Sequence, residues 1–373
     1  MKLTLQLQLL PDPTQAVTLR ETVERFNAAA NWLAGLAHQE QTASKFELQK
    51  WHYRELRDRF SLPADMAIRV IAQVCEAYKR DRSKRPTFRP HAAIPYSQGK
   101  NYGFKGVDRV SLSVVPSGRV VVPFLMGQYQ REQFGFAKGQ ADLVLRNDGK
   151  WFLLVTVDLP DGTPLPATDF IGVDLGIEHV AVTSEGEAFQ DHGVQAMRRK
   201  LAERRGKLGQ AASGRKRAGK RPRNIHQAIN RTRAREGRYR RDINHQISKR
   251  IVETAQRSGR GIALEELTHI RERVRLRRRQ RSRFYGWAFA QLRTFIEYKA
   301  RRAGVPVVTV NARYTSQTCS ACGHCERSNR KSQSEFTCQR CAFQCNADRN
   351  AAQNIRSRAR AEVNRPMMSG QVS

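Results

Sequence analysis

Phe170-Ile-Gly-Val-Asp174-Leu-Gly-Ile-Glu178 decides the fold class of this chain. Its first four residues form an apolar run too short for a helix, and it ends on a carboxylate followed by glycine. Such a run between turn residues reads as a buried strand. Val180-Ala-Val182 reads as a second strand, Ser184-Glu-Gly186 as a turn and Glu187-Ala-Phe189 as a third strand. Gly261-Ile-Ala-Leu264 is another short apolar run, and it too ends on a carboxylate, Glu265. Short strands separated by long helical patterns predict an α/β unit beginning near residue 170.

Working back from there, residues 1–169 read differently. Leu3, Leu5, Leu7 and Leu9 alternate with Thr4, Gln6 and Gln8, the period of a half-buried strand. Pro11-Asp-Pro-Thr14 then offers a helix start, and Leu19, Val23, Phe26, Ala30 and Leu33 recur at helical spacing. Helices are also expected around 46–60, with Leu48, Leu56 and Phe60, and after Pro63, with Ala67, Val70, Val74 and Tyr78 on one face. Cys75 within that helix reads as a small core residue. Residues 80–105, basic and broken by Pro86, Pro90 and Pro95, read as a connector. Two hairpins follow: Val110–Val114 with Val120–Phe124 across Pro116-Ser-Gly118, and Ala141–Leu145 with Trp151–Val157 across Asn147-Asp-Gly149. Helices inserted into a β-barrel fit the whole stretch.

Charge bears on partners. Apolar residues at 39% suit a globular chain, but 67 Lys and Arg against 34 Asp and Glu leave a net +33. Residues 198–241 alone hold 18 Lys and Arg against Glu203 and Glu236, with Leu201, Leu208, Ile225, Ile229 and Tyr239 as sparse apolar anchors. A long helical hairpin laid against phosphates suits that pattern. A second run, Arg271–Arg283, carries eight arginines against Glu272 and is a candidate lid over a substrate channel. Arginine favours bidentate phosphate contacts, so nucleic acid is the expected partner. Tyr239, Phe284 and Tyr285 are candidates to stack on bases or to pack between helices. No run of ~18 apolar residues occurs and the N-terminus alternates, so a membrane partner is not expected and the cytoplasm is.

Seven cysteines include Cys319-Ser-Ala-Cys322 and Cys338-Gln-Arg-Cys341, two CxxC pairs with 15 residues between them. Two such knuckles complete a tetrahedral thiolate site, so one structural Zn²⁺ is expected. Cys325 and Cys345 lie close enough in sequence to replace a ligand, although Gly323 favours the first knuckle as assigned.

Three carboxylates complete the set of candidates. Asp174 and Glu265 end apolar strands, and Asp348 stands at a helix start in Cys345-Asn-Ala-Asp348-Arg-Asn-Ala-Ala352. Singly, each reads as a strand-end residue or a cap. Together, acids at the edges of buried segments of a very basic chain call for a cation, since gathered carboxylates otherwise take up protons. Hard oxygen ligands select Mg²⁺ or Mn²⁺, and two ions about 3.5–4 Å apart serve in-line phosphodiester displacement. His179, near Asp174, reads more safely as a strand-edge residue than as a ligand.

Ile171-Gly-Val-Asp-Leu-Gly-Ile177, Ile262-Ala-Leu-Glu-Glu-Leu267 and Cys345-Asn-Ala-Asp-Arg-Asn-Ala-Ala-Gln-Asn-Ile355 resemble the three segments of a RuvC nuclease. Their order resembles the TnpB family of insertion-sequence nucleases, ancestor-like to type V CRISPR effectors. Gly286-Trp-Ala-Phe-Ala-Gln-Leu292, Tyr298-Lys-Ala300 and Tyr314-Thr-Ser-Gln-Thr-Cys319 match that family as well. The resemblance implies an RNase H-like RuvC core over 170–312 and 344–360, interrupted by a zinc ribbon over 313–343. It also implies a β-barrel wedge domain over 1–10 and 101–169, an inserted helical recognition domain over 11–100, and a disordered tail over 361–373. It assigns catalysis to Asp174, Glu265 and Asp348, and zinc to Cys319, Cys322, Cys338 and Cys341. It implies a guide RNA from the transposon end, a double-stranded DNA target with a short adjacent motif, and RNA-guided cleavage. Two departures stand out: Glu266 where aspartate is commoner, and Ala342 where glycine is. The same residues admit transposase-type strand transfer or a non-catalytic nucleic-acid-binding regulator, and intact carboxylates weigh against the latter.

Overall fold

The first of two units, Met1–Pro160, is organised by its N-terminal strand. The computed structural model describes residues 1–116, 118–176, 179–190, 192–266, 289–332 and 334–364. Strand β1 (Lys2–Leu9) buries Leu5, Leu7 and Leu9 and turns Thr4, Gln6 and Gln8 outward, as its alternation requires. Asp12 and Gln15 then form a reciprocal capping box with Pro13 in the first turn, which starts α1 (Pro13–Gln39). The helix buries Leu19, Val23, Phe26, Ala30 and Leu33. With α2 (Lys45–Phe60) and α3 (Ala64–Tyr78) it shares one core with the strands. Cys75 packs against that core, and burial pushes its thiol up, as befits an inert packing residue.

The remaining strands are β2 (Ile94–Ser97), β3 (Tyr102–Lys105), β4 (Arg109–Ser113), β5 (Arg119–Leu125), β6 (Ala137–Leu145) and β7 (Trp151–Asp158), with the short helix α4 (Gln128–Phe134) before β6. Both expected hairpins form, β4 with β5 and β6 with β7. The sheet order is β2-β6-β7-β1-β5-β4-β3, antiparallel at every pairing. Its ends meet to give a near-closed barrel: Gln98 bridges Tyr102, and the Tyr102 hydroxyl donates to the Gly139 carbonyl at 3.2 Å. The connector expected over 80–105 therefore needs correcting, because 94–97 and 102–105 are the strands at the two ends of the sheet. Pro95 misleads as a breaker; β2 pairs only with β6, and an edge strand tolerates a missing N–H.

The second unit, Asp161–Ser373, contains the Phe170–Asp174 strand. Its sheet runs β10 (Ala188–Gln190), β9 (His179–Thr183), β8 (Phe170–Asp174), β11 (Gly261–Glu265), β12 (Val307–Val310). β8, β11 and β12 are parallel, and β9 and β10 run antiparallel. Each central strand is buried on both faces. Ile171, Val173, Ile262 and Leu264 pack with α6 (Arg223–Arg257) and α7 (Phe289–Ala303) through Ile247, Ile251, Leu292 and Ile296. Phe170 and Ala263 point the other way, to Ile355 and Ala359 of α8 (Ala347–Val363). That helix extends three residues into the stretch expected as a tail; residues 365–373 lie outside the described residues.

The basic run 198–241 forms an antiparallel hairpin of α5 (His192–Arg217) and α6, turned at Gly219 with φ of +68°. Glu236 stitches it, accepting from Arg198 Nε at 3.2 Å and Arg205 Nη1 at 2.7 Å. Tyr239 packs against the core below, which fits helix packing rather than base stacking. Arg271–Arg283, Phe284 and Tyr285 lie outside the described residues. Between β12 and α8 the chain forms the cysteine-rich segment with a two-stranded ribbon, β13 (Glu335–Thr337) and β14 (Gln344–Asn346).

Candidate active site and cysteine cluster

Parallel pairing brings the first two carboxylates together. β8 and β11 are in register from Phe170 opposite Gly261 to Val173 opposite Leu264, so the next residues, Asp174 and Glu265, stand side by side at the carboxyl ends of both strands. Crevices beyond the carboxyl ends of parallel strands are the usual place for ligands in such sheets. Asp348 arrives from 174 residues later in the chain, in the first turn of α8, whose N-cap Asn346 accepts from the backbone N–H groups of Asp348 and Arg349. The helix lies along β8 and reaches this position because Gly172 lets its backbone approach the strand.

The three acids form one electrostatic unit. Burial, then the charges of Glu265 and Asp348, push Asp174 well above the usual carboxylate range, with Arg330 opposing. Burial also raises Glu265, against a hydrogen bond donated by the Thr315 hydroxyl to its Oε1. Asp348, 3% exposed, has both oxygens engaged: Oδ2 lies 3.0 Å from His179 Nδ1, and Oδ1 accepts from Arg330 Nη2 at 3.2 Å. His179 is thus a strand-edge residue that also faces the site. Carboxylates gathered so that two of them raise the proton affinity of the third fit a hard divalent cation. The carboxylates are spread wider than a single-ion cage: among the described residues, only the cysteine cluster has three or more ligand atoms all within 4.8 Å of one another.

That cluster is Cys319, Cys322, Cys338 and Cys341. Cys319 and Cys341 sulfurs are 3.7 Å apart, and those of Cys322 and Cys338 are 3.6 Å apart. A tetrahedron with Zn–S bonds of about 2.3 Å has edges near 3.8 Å, so the donor set fits Zn²⁺. Cys325 and Cys345 are outside it, which removes the ambiguity left by spacing. The knuckles match each other. Cys319 N–H donates to the His324 carbonyl at 2.8 Å and Cys338 N–H to that of Phe343 at 2.9 Å. Four residues after each first cysteine the backbone is left-handed, at Gly323 (φ +75°) and Ala342 (φ +57°).

Comparison with known proteins agrees with this architecture. Residues 289–355 match the family model described as Cas12f1-like, TNB domain. The CRISPR-associated endodeoxyribonuclease Cas12f1 of Sulfoacidibacillus thermotolerans is 31% identical over 260 residues, 66% of this chain and 58% of that protein. InsQ of Escherichia coli K12 is 26% identical over 321 residues, 80% of this chain and 75% of its own length. A TnpB-like protein of Methanocaldococcus jannaschii is 41% identical over 90 residues, 24% of this chain and 32% of its own. The chain belongs to the TnpB–Cas12f family. It spans about half the length of the Cas12f1 relatives it matches, 58% of one and 43% of another. The solved Cas12f1–sgRNA–target DNA complex shares this family fold at a TM-score of 0.64, with 18% identity, covering 90% of this chain and 82% of that one.

Sequence reasoning for this TnpB–Cas12f chain missed the residues that hold the acids in place. Thr315 and Arg330 both come from the cysteine-rich segment. Thr315 lies in the Tyr314–Cys319 stretch that matches the family, but nothing in that stretch or around Arg330 shows their roles, because Glu265 is distant in sequence from Thr315 and Asp348 is separated from Arg330 by the second knuckle. The described residues contain no helix long and apolar enough to cross a membrane.

Proposed function

We propose that this protein is an RNA-guided DNA endonuclease whose cleavage site is Asp174, Glu265 and Asp348. The observation that carries the reading is that three acids, from segments 91 and 83 residues apart, meet at one sheet end with Asp174 flanked by the other two charges. The intact carboxylates weigh against a non-catalytic nucleic-acid binder. In a chain of net +33, the surface around the cluster attracts phosphates.

The three carboxylates would hold a pair of Mg²⁺ or Mn²⁺ ions, which supply Lewis acidity to a phosphodiester and an activated water for its hydrolysis. The chain's own part is orientation. Thr315 fixes one Glu265 oxygen, and His179 and Arg330 fix both Asp348 oxygens. The basic α5–α6 hairpin supplies phosphate contacts. Cys319, Cys322, Cys338 and Cys341 hold one structural Zn²⁺, a closed four-thiolate site with no open position for chemistry.

In this reading the second unit is an RNase H-like RuvC domain (170–312 and 344–360) with a zinc-ribbon insertion (313–343). The first unit is a wedge barrel carrying a helical recognition insertion, and β2 joins the barrel strands at 1–10 and 101–169. The partners are a guide RNA from the flanking locus and double-stranded DNA bearing a short motif. The relatives support this: one is by name an endodeoxyribonuclease, and a protein of the same fold is solved with sgRNA and target DNA.

The test is to co-express the chain with its flanking DNA, sequence the copurified RNA, and assay matched plasmid with Mg²⁺. Asp174→Ala should abolish cutting while leaving the RNA bound. Cutting by that variant would overturn the site. Joined rather than free 3′ ends would indicate strand transfer.

A further inference from the structure

The cysteine-rich segment is more than an independently folded insertion. Two buried asparagines on α8 bind the loop that carries the first knuckle. Asn350, with no exposed area, donates from Nδ2 to the Thr318 carbonyl at 2.7 Å and accepts at Oδ1 from Ser320 N–H at 2.9 Å. Asn354 donates from Nδ2 to the carbonyls of Thr315 at 2.8 Å and Thr318 at 2.7 Å. Both stand on the helix whose first turn bears Asp348, and the loop they grip includes Cys319 and contains Thr315, whose hydroxyl holds Glu265.

A second connection runs from the other knuckle. Buried Asn329 donates to the carbonyls of Gln317 at 2.9 Å and His324 at 3.1 Å, and accepts from Gln339 N–H at 2.9 Å. It therefore ties the loop around Cys319 and Cys322 to that around Cys338 and Cys341. Its neighbour Arg330 reaches Asp348.

We infer that Asn350 and Asn354 are positioning residues that lock the cysteine cluster to the carboxylate site, so that a metal held by the four thiolates tightens divalent-cation binding at Asp174, Glu265 and Asp348. The physical basis is satisfaction of buried polar groups. The Thr315 and Thr318 carbonyls face these amides, and releasing the loop would leave donors and acceptors without partners. An amide suits position 350, because its two ends donate to one backbone group and accept from another. Thr315 is the last link: its position is set by Asn354 through its carbonyl, and it orients Glu265 through its hydroxyl. Partners that orient a metal ligand typically alter affinity by about 10–100-fold when removed. By linkage, occupation of the carboxylates would strengthen retention of the thiolate-bound metal by the same factor.

The inference rests on the carboxylates binding a divalent cation, and the experiment separates the two claims. Mn²⁺ binding to the purified full-length chain is measured by electron paramagnetic resonance titration, with zinc content determined in parallel. Asn354→Ala and Thr315→Val should each keep one zinc per chain and weaken Mn²⁺ binding about tenfold or more. Thr315→Ser, which retains the hydroxyl, should restore wild-type affinity; a merely structural role would not distinguish Ser from Val in this way. If Asp174→Ala abolishes Mn²⁺ binding but the Asn354 and Thr315→Val variants bind as wild type with zinc intact, the coupling is overturned and the carboxylate site stands. If Asp174→Ala leaves Mn²⁺ binding unchanged, the carboxylate reading falls and the coupling falls with it. Should Asn354→Ala fail to fold, the Thr315 pair decides.

Discussion

Gly172 lies directly beneath Ala352: a Cβ placed on it would come within 2.0 Å of the Ala352 carbonyl oxygen and 2.7 Å of the Arg356 backbone nitrogen. Both neighbours are helix backbone, which cannot swing aside as a flexible side chain can. The close approach of α8 to β8, and so the placement of Asp348 beside Asp174, depends on the missing side chain.

Gly172→Ala should therefore push the start of α8 away from the sheet. Overpacking of this kind costs about 1–3 kcal/mol. Cleavage should fall further than that loss explains, because a shift near 1 Å at reacting groups can cost about a hundredfold. Thermal unfolding and cleavage rates measured on one preparation check this. A variant with wild-type cutting would show that α8 accommodates the methyl without moving Asp348.

Ala342 holds, at a cost, a left-handed backbone that Gly323, its counterpart in the first knuckle, adopts freely. Ala342→Gly should stabilise the second knuckle by about 0.5–1 kcal/mol, less whatever the extra unfolded-state freedom of glycine removes. Slower zinc loss to a chelator is the expected result. Faster loss would mean that the methyl contributes packing worth more than the strain.

Cys325 and Cys345 are spectators of the cluster in this geometry. Changing both to Ser should leave one zinc per chain, whereas Cys322→Ser alone should release it or weaken its retention by orders of magnitude. Zinc content after dialysis against chelator is the measurement. Loss of zinc from the Cys325/Cys345 double variant would reassign a ligand.

His245 lies between α6 and α7, its ring stacked 3.9 Å from that of Phe295. Burial, with the Lys299 and Arg241 cations, pushes its imidazole down to about 4, while Asp242 acts the other way. The folded state thus binds fewer protons than the unfolded state between about pH 4 and 6.5, so this group's contribution is fully present above 6.5 and lost as pH falls toward 4. His245→Phe, which keeps the stack, should flatten the Tm profile across that window relative to wild type. Parallel profiles would show that the ring protonates freely in the fold.

Salt dependence tests the α5–α6 hairpin. Lys200, Arg204, Lys207 and Arg235 line one recess with Met197 and Leu201. Replacing the four with Gln should weaken RNA and DNA binding regardless of sequence. The slope of log K against log salt should become shallower by about 0.7–0.9 for each phosphate that is no longer neutralised. An unchanged slope would remove the hairpin from the interface.

Much of the fold was legible because it depends on local pattern. The alternation of Leu3 to Leu9, the helical spacing of Leu19 to Leu33 and the short apolar runs before Asp174 and Glu265 each dictate an element on their own. β2 and β3 escaped because four residues carry almost no period, and Pro95 reads as a breaker unless the strand is known to be an edge. The proposed site was legible in part for a related reason. Carboxylates ending buried strands are conspicuous in a chain so poor in acids, and paired CxxC motifs declare themselves by spacing.

By itself, then, the sequence determined the candidates for the proposed chemistry: three acids, two CxxC pairs and a basic hairpin, each marked by its immediate neighbours. The tertiary structure decided how they are joined. That β8 and β11 pair in parallel with Asp174 beside Glu265, that α8 lies on Gly172, and that Thr315, Arg330, Asn350 and Asn354 connect the cysteine segment to the acids are facts of packing between distant segments. Hydrogen bonds between residues tens of positions apart leave no periodic trace in the chain, because only closure of the intervening loops brings the partners within reach.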